Sequence, residues 1–150
     1  MNEIAHNLEV VRNKIADAAK GKDVTLVAVS KTKSCEDIIA AYEAGQRIFG
    51  ENKMQELKEK EERLSDYNID WHFIGKLQKN KIKYLNESIK MIQSIDSFEL
   101  LDNIGNAKNI PASVLLQINI GEEKTKNGFL IKYFEKEVEK YQNFGNGKFC

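Results

Sequence analysis

The chain has 150 residues, 23 basic and 23 acidic for a formal net charge of zero, and 41% of it is hydrophobic. That is material for one globular domain with a real core, and the charge balance excludes a global field drawing it to nucleic acid or an anionic membrane. No apolar run approaches the ~20 residues of a membrane span, the start lacks a basic segment before a hydrophobic one, and two cysteines, Cys35 and Cys150, make no disulfide framework, so a reduced, cytoplasmic protein is the expectation.

Residues 2–20 carry Ile4, Leu8, Val11 and Ile15 at helical spacing, with Gly21 as a stop. The stretch 25–33 follows, and it reads as a strand that ends at Lys31. Val27, Val29 and Lys31 share one face of it, and Leu26, Ala28 and Ser30 the other. A strand this apolar is expected to be covered on both faces, as in a parallel sheet flanked by helices. Lys31 then stands at the strand's carboxyl end, where open α/β sheets and α/β barrels place their chemistry. A lysine partly withdrawn from water loses some preference for its charged form, and the free amine attacks carbonyl carbon to make a Schiff base. A solvated lysine that merely ends a buried strand is the alternative, and spacing does not choose between them.

Ser34 and Asp37 form a Ser-x-x-Asp cap for a helix bearing Ile38, Ile39 and Tyr42, closed by Gly45. Residues 47–49 read as a second strand ending in Gly50, Glu51 and Asn52. The next helix has Met54, Leu57 and Leu64 on an apolar side and the pairs Glu56/Lys60 and Glu59/Arg63 at i, i+4, which reads as a solvated charged face. Residues 71–75 read as a third strand, 76–85 as a loop and helix, and 91–95 as a fourth strand. Asp96 and Ser97 cap a helix with Phe98, Leu101 and Ile104. Pro111 precedes a fifth strand over 113–119, residues 121–128 form a polar loop, 129–142 look helical, and 145–147 turn into a further strand at Phe149 and Cys150. Five strand–helix alternations are the pattern of βα units around a parallel sheet.

Four strand ends carry polar residues able to converge at one rim: Ser30 to Lys33, Gly50 to Asn52, His72 with Gly75, and Gln117 with Asn119. Gly50 and Gly75 permit close backbone approach, with or without a ligand. His72 alternates with Trp71 and Phe73 and so shares a face with Ile74; a hydrogen-bonded structural histidine competes with a ligand contact there. The basic run from Lys76 to Lys83 reads as a phosphate or RNA contact or as a solvated helix start, without an aromatic stacking platform. No phosphate loop, dinucleotide fingerprint or metal-ligand cluster occurs, and no metal site is expected.

The run Ala28, Val29, Ser30, Lys31, Thr32, Lys33, then Phe49, Gly50, Glu51, Asn52 with Gln55 and Glu56, then Trp71 to Gly75 with Leu77, Gln78, Asn80 and Lys81, closely resembles the pyridoxal phosphate homeostasis proteins (the YggS/PROSC family). Ser94 to Ser97, Gln117 to Ile120 and Lys126 to Gly128 fit the same family in the same order, so the resemblance covers the chain to about residue 128. It implies a (β/α)8 TIM-barrel domain of the alanine racemase N-terminal type over residues 1–150, here incomplete, with about five βα units and the start of a sixth strand. It also implies pyridoxal 5′-phosphate bound as a Schiff base on Lys31 without catalytic turnover. The role would be intracellular vitamin B6 homeostasis, with apo-enzymes as recipients of the cofactor. Asn52 and His72 are candidate ring contacts from strand-end geometry.

Ser34 departs from the family's usual proline, a minor change because serine caps the next helix. The family's late serine- and glycine-rich phosphate-binding segment and its final Arg-x-Gly segment have no counterpart. Barrel phosphate sites are typically built by the loops after strands seven and eight. A fragment or an interrupted gene is therefore expected, with an exposed sheet edge prone to pairing. Cofactor is expected to exchange more readily than from longer relatives; ordinary tight retention in equilibrium dialysis would contradict that. The alternatives are a cofactor-dependent amino-acid racemase, which needs a second acid/base opposite the lysine from a β-domain this chain lacks, an inactive family fragment, and an RNA or phosphate binder using the Lys76 to Lys83 run.

Overall fold

The computed structural model describes residues 3–107, 113–123, 125–134 and 138. Helix α1 (Glu3–Ala19) precedes strand β1 (Ala28–Val29), and then helices and strands alternate: α2 (Cys35–Glu43), β2 (Ile48–Glu51), α3 (Met54–Arg63) and β3 (Asp70–Phe73). A 3-10 helix (Lys79–Tyr84) links β3 to β4 (Ile89–Ile95), which is followed by α4 (Phe98–Gly105), β5 (Ser113–Leu116), β6 (Ile118–Asn119) and β7 (Phe129–Leu130). Local chemistry sets several boundaries. The Ser34 hydroxyl accepts from the Asp37 amide at 3.1 Å while the Asp37 carboxylate accepts from the Ser34 amide at 3.3 Å, a complete capping box. Such a cap stabilises a helix by about 1 kcal/mol. Ser97 caps α4 through the Leu100 amide.

Strands β1 to β5 form one parallel sheet in chain order, and β6 pairs with β7, also in parallel. The two sheets are joined at Gln117, whose amide donates to the Ile95 carbonyl and whose carbonyl accepts from the Phe129 amide, each at 2.8 Å. The fifth strand expected over 113–119 is thus broken at Gln117 into β5 and β6. A sixth parallel strand begins at Phe129, inside a segment that the hydropathy pattern reads as helical. The helical run starts only at Ile131. Pro111, most of the expected helix beyond residue 134, the 145–147 turn and the Phe149–Cys150 strand lie outside the described residues.

Parallel pairing puts directly opposed residues on the same side of a sheet. Ala28, Phe49, Trp71 and Ile89 form one row on the helix-covered side, and Glu51, Phe73 and Ile92 the next. Phe49, Phe73, Ile89 and Ile92 are at most 1% exposed, and with Ile38, Leu57 and Ile104 from the helices they make the core. Burying each such side chain stabilises the fold by roughly 1.5–3 kcal/mol. The opposite side carries the row Val29, Gly50, His72, Met91 and Ser113.

The expectation of a first strand covered on both faces is corrected. Strand β1 is two residues long and covered on one side only: Val29 is 52% exposed. Helix α1 contributes no buried residue. Ile4 and Leu8 pack partly against the core, and Arg12 ties the helix to the Ala44 carbonyl at 2.7 Å and to the Gln46 side chain at 3.3 Å. No helix among the described residues is long and apolar enough to cross a membrane, and among them no cluster of three His, Cys, Asp or Glu could hold a metal ion.

Candidate functional site

The carboxyl ends of β1, β2 and β3 bring the expected residues to one rim. Beyond β1 the Ser30 amide still donates to the Gly50 carbonyl at 3.0 Å, and the chain then turns at Lys31 and Thr32, closed by the Lys33 amide on the Ser30 carbonyl at 3.0 Å. Thr32 has φ +64°, the left-handed region that a β-branched residue rarely adopts. Lys31 is therefore a turn residue, not the last residue of a strand. It is also exposed, the solvated one of the two alternatives that spacing left open.

A buried ionic network lies beneath that turn. Lys60 is 6% exposed and Glu51 fully buried. The Lys60 ammonium donates to Glu51 Oε1 and Glu56 Oε1, both at 2.7 Å, and to the Ser30 carbonyl at 2.8 Å. The Ser30 hydroxyl donates to Glu51 Oε1 at 2.6 Å, and the Thr32 amide donates to Glu56 Oε1 at 2.6 Å. Burial works against the Lys60 charge, but the hydrogen bonds it donates to the two carboxylates outweigh it and hold the ammonium's pKa above the ordinary value. The Lys60 hydrogen bond in turn holds Glu56 below its ordinary value, against a smaller opposing effect of burial. Lys60 and Glu56 thus belong to the interior of the site and not to the solvated face that their i, i+4 spacing suggested. One signal could have separated them: Lys60 follows Leu57 by three residues and precedes Leu64 by four, on the apolar stripe of α3.

His72 sits in the row of Val29 and Gly50, and Lys31 and Asn52 follow those two residues by two positions, beyond the carboxyl ends of β1 and β2. It is 7% exposed, with Gln93 Nε2 2.9 Å from Nδ1. Burial pushes the imidazole below its usual pKa, and the Asp70 carboxylate raises it by less. A neutral ring that accepts at Nδ1 carries its proton on Nε2. Because the unfolded chain binds that proton more readily, the His72 contribution to stability is full above pH 6.5 and lost as pH falls from 6.5 through the lower folded pKa. Thermal melts at about pH 7.5 and about pH 5.5 should therefore show an acid loss that His72→Gln reduces.

Asn52 is half-buried, and its backbone is pressed against Gly75. A Cβ at Gly75 would lie 2.0 Å from the Asn52 carbonyl oxygen, so only glycine lets the chain after β3 cross the chain after β2. The Ser94 hydroxyl donates to the Gly75 carbonyl and holds this crossing from β4. Gly50 has a related role, since its missing side chain lets Val27 and Ile74 close over β2, where a Cβ would meet them at 3.3 and 3.2 Å.

The other rim candidates are committed elsewhere. Asn119 is 7% exposed; its amide donates to the Glu123 carbonyl at 2.9 Å and the Lys126 carbonyl at 3.3 Å, and its carbonyl accepts from the Glu123 amide at 3.2 Å. Gln117 donates to the Asn127 carbonyl at 3.2 Å. The two side chains thus hold the loop backbone at Glu123, Lys126 and Asn127. In the basic run, Lys76 bonds Asn127 at 2.8 Å and faces Asp96 at 3.8 Å, and Lys79 pairs with Glu99. Lys81 and Lys83 lie over the Tyr84 ring, 5.4 and 5.1 Å from its centroid.

The sequence profile of the family described as "Alanine racemase, N-terminal domain" matches residues 1–149. The pyridoxal phosphate homeostasis protein of Haemophilus influenzae is 40% identical over 135 residues, which span 83% of this chain and 57% of that protein. The protein of the same name from Escherichia coli strain K12 is 41% identical over 139 residues, 85% of this chain and 59% of that one. The chain thus spans about three fifths of the length of these relatives. Among solved structures, PipY of Synechococcus elongatus without PLP superposes with a TM-score of 0.84 at 31% identity, covering 97% of this chain and 67% of that one. PipY with PLP bound gives 0.80 at 32% identity over 94% and 65%.

Proposed function

The chain belongs to the alanine racemase N-terminal domain family, with its TIM-barrel-like fold, and from that premise we propose that it binds pyridoxal 5′-phosphate and serves intracellular vitamin B6 homeostasis without catalytic turnover. Lys31 carries the cofactor covalently, and Asn52 and His72 contact the ring side. Apo-enzymes that use the same cofactor are the recipients, and the cytoplasm is the place of work. The observation that carries the reading is the position of Lys31: an exposed primary amine in a tied-down turn at the carboxyl end of β1, the end where this fold class gathers its chemistry.

The donor set suits the group. When bound, the cofactor supplies an aldehyde that condenses with a primary amine, and a planar ring that needs hydrogen-bonding partners and an apolar neighbour. Lys31 supplies the amine. His72, kept neutral by burial and oriented by Gln93, offers a ring N–H without bringing a second positive charge to the rim. Asn52 offers a carboxamide, and the exposed side chain of Val29 an apolar surface in the same row as His72.

The test is delivery. The loaded chain is mixed with a cofactor-free pyridoxal phosphate enzyme and the recovery of that enzyme's activity is followed, alongside an assay for alanine racemisation by the chain alone. The reading predicts recovery and no racemisation. Turnover of alanine by the chain, or a loaded chain that restores nothing, would overturn it.

A further inference from the structure

We propose that Glu51, Lys60 and Glu56 form a positioning device that holds the Lys31 turn in its reactive geometry. The inference rests on the reading of Lys31 as the cofactor lysine. It goes beyond that reading in assigning a task to three residues that would not themselves touch the cofactor.

The geometry points to the turn as what the network holds. A pin between α3 and β2 would need only the Lys60–Glu51 pair, at 2.7 Å. The network goes further and grips the residue on each side of Lys31. Ser30 is bound twice, by its hydroxyl to Glu51 at 2.6 Å and by its carbonyl to Lys60 at 2.8 Å. Thr32 is bound by its amide to Glu56 at 2.6 Å. These bonds bridge 21, 30 and 24 residues of sequence, so no local turn preference creates them. Lys60 ties both carboxylates to one ammonium, and the clamps on Ser30 and Thr32 therefore act as one unit.

Thr32 explains why a clamp is needed. A threonine at φ +64° is disfavoured and persists only where the surroundings over-determine it. The Glu56 bond is made by the amide of that residue. Without it the turn can relax to a more ordinary backbone, which swings the Lys31 stem away from the rim shared with Asn52 and His72. The clamp fixes the backbone at the base of the Lys31 side chain, so the amine always starts from one place at the rim, and displacing a reacting group by about an ångström can cost as much as a hundredfold in rate.

The test uses Glu56 because its side chain is 23% exposed, so its removal is compatible with folding. Two quantities are read for the wild type, Glu56→Ala, Glu56→Gln and the control Glu59→Ala. One is hydrogen exchange at the Thr32 amide without any cofactor; the other is the rate at which pyridoxal 5′-phosphate forms a borohydride-trapped adduct on Lys31. Glu56→Ala should raise Thr32 exchange and slow adduct formation by roughly tenfold or more, within the range for a displaced reacting group. Glu56→Gln keeps an oxygen acceptor and should recover most of both effects, and Glu59→Ala should leave both unchanged. An unchanged adduct rate in Glu56→Ala overturns the positioning role, even if exchange rises. An adduct on a different lysine in the wild type overturns the cofactor reading instead, and Thr32 exchange then decides the clamp by itself.

Discussion

Replacing Lys60 by methionine is expected to destabilise the fold by about 3–5 kcal/mol, the cost of leaving a buried charge without its partner. Glu51 is fully buried, and with Lys60 gone its carboxylate keeps only the Ser30 hydroxyl as a charge-stabilising contact. Its second oxygen, Oε2, already lacks a hydrogen bond, so the ammonium is the main compensation for burying this group at all. The Ser30 carbonyl loses a donor as well. The double variant Lys60→Met with Glu51→Leu removes the stranded charge and should recover much of the loss, since a buried pair can often be exchanged for apolar packing. Urea unfolding of the three chains measures this. A single variant within about 0.5 kcal/mol of wild type would mean that the network is solvated and weak.

Gly75→Ala should cost about 3 kcal/mol, at the upper end of what overpacking does. The added methyl would sit 2.0 Å from the Asn52 carbonyl oxygen, 2.6 Å from its carbonyl carbon and 2.6 Å from its Cα. These are backbone atoms, which cannot rotate aside as the end of a side chain can. The two chain segments must separate, and the Ser94 bond to the Gly75 carbonyl is lost with the crossing. The same displacement moves Asn52 at the rim, so a weakened fold and weakened cofactor binding should appear together. Gly121→Ala is the control: the nearest atoms a Cβ there meets belong to the flexible Glu123 side chain, at 3.3 Å or more. Equal melting temperatures for Gly75→Ala and the wild type would contradict the crossing.

Features set by neighbours in the sequence could be read directly. The capping box at Ser34 and Asp37 needs four consecutive residues, and the core face of α4 needs one helical period; both are present as expected. The parallel order of strands was legible in the alternation of strand-like and helix-like segments. The failures are non-local. Nothing beside Lys31 in the chain indicates that Thr32 takes a left-handed backbone, because the groups that impose it come from α3 and β2: Glu56, 24 residues from Thr32, and Glu51, 21 residues from Ser30. The place of Lys60 on the apolar stripe of α3 hints at burial, but only the fold shows that Glu51 lies beneath it to receive the charge. Phe129 was absorbed into a helical pattern because β7 is only two residues long, and the bond to Gln117 that makes it a strand cannot be seen from its neighbours. Asn119 and Gln117 have the chemistry of ligand contacts, and only the fold shows that the loop after them uses those groups.

The proposed function depends on one lysine condensing with the aldehyde of a vitamin-derived cofactor. The direct measurement is to incubate the chain with pyridoxal 5′-phosphate, reduce with borohydride and locate the modified residue by mass spectrometry, with Lys31→Ala in parallel. The account predicts a single dominant adduct on Lys31 that disappears in the variant. Adducts spread over the surface lysines, or an undiminished yield from Lys31→Ala, would contradict it.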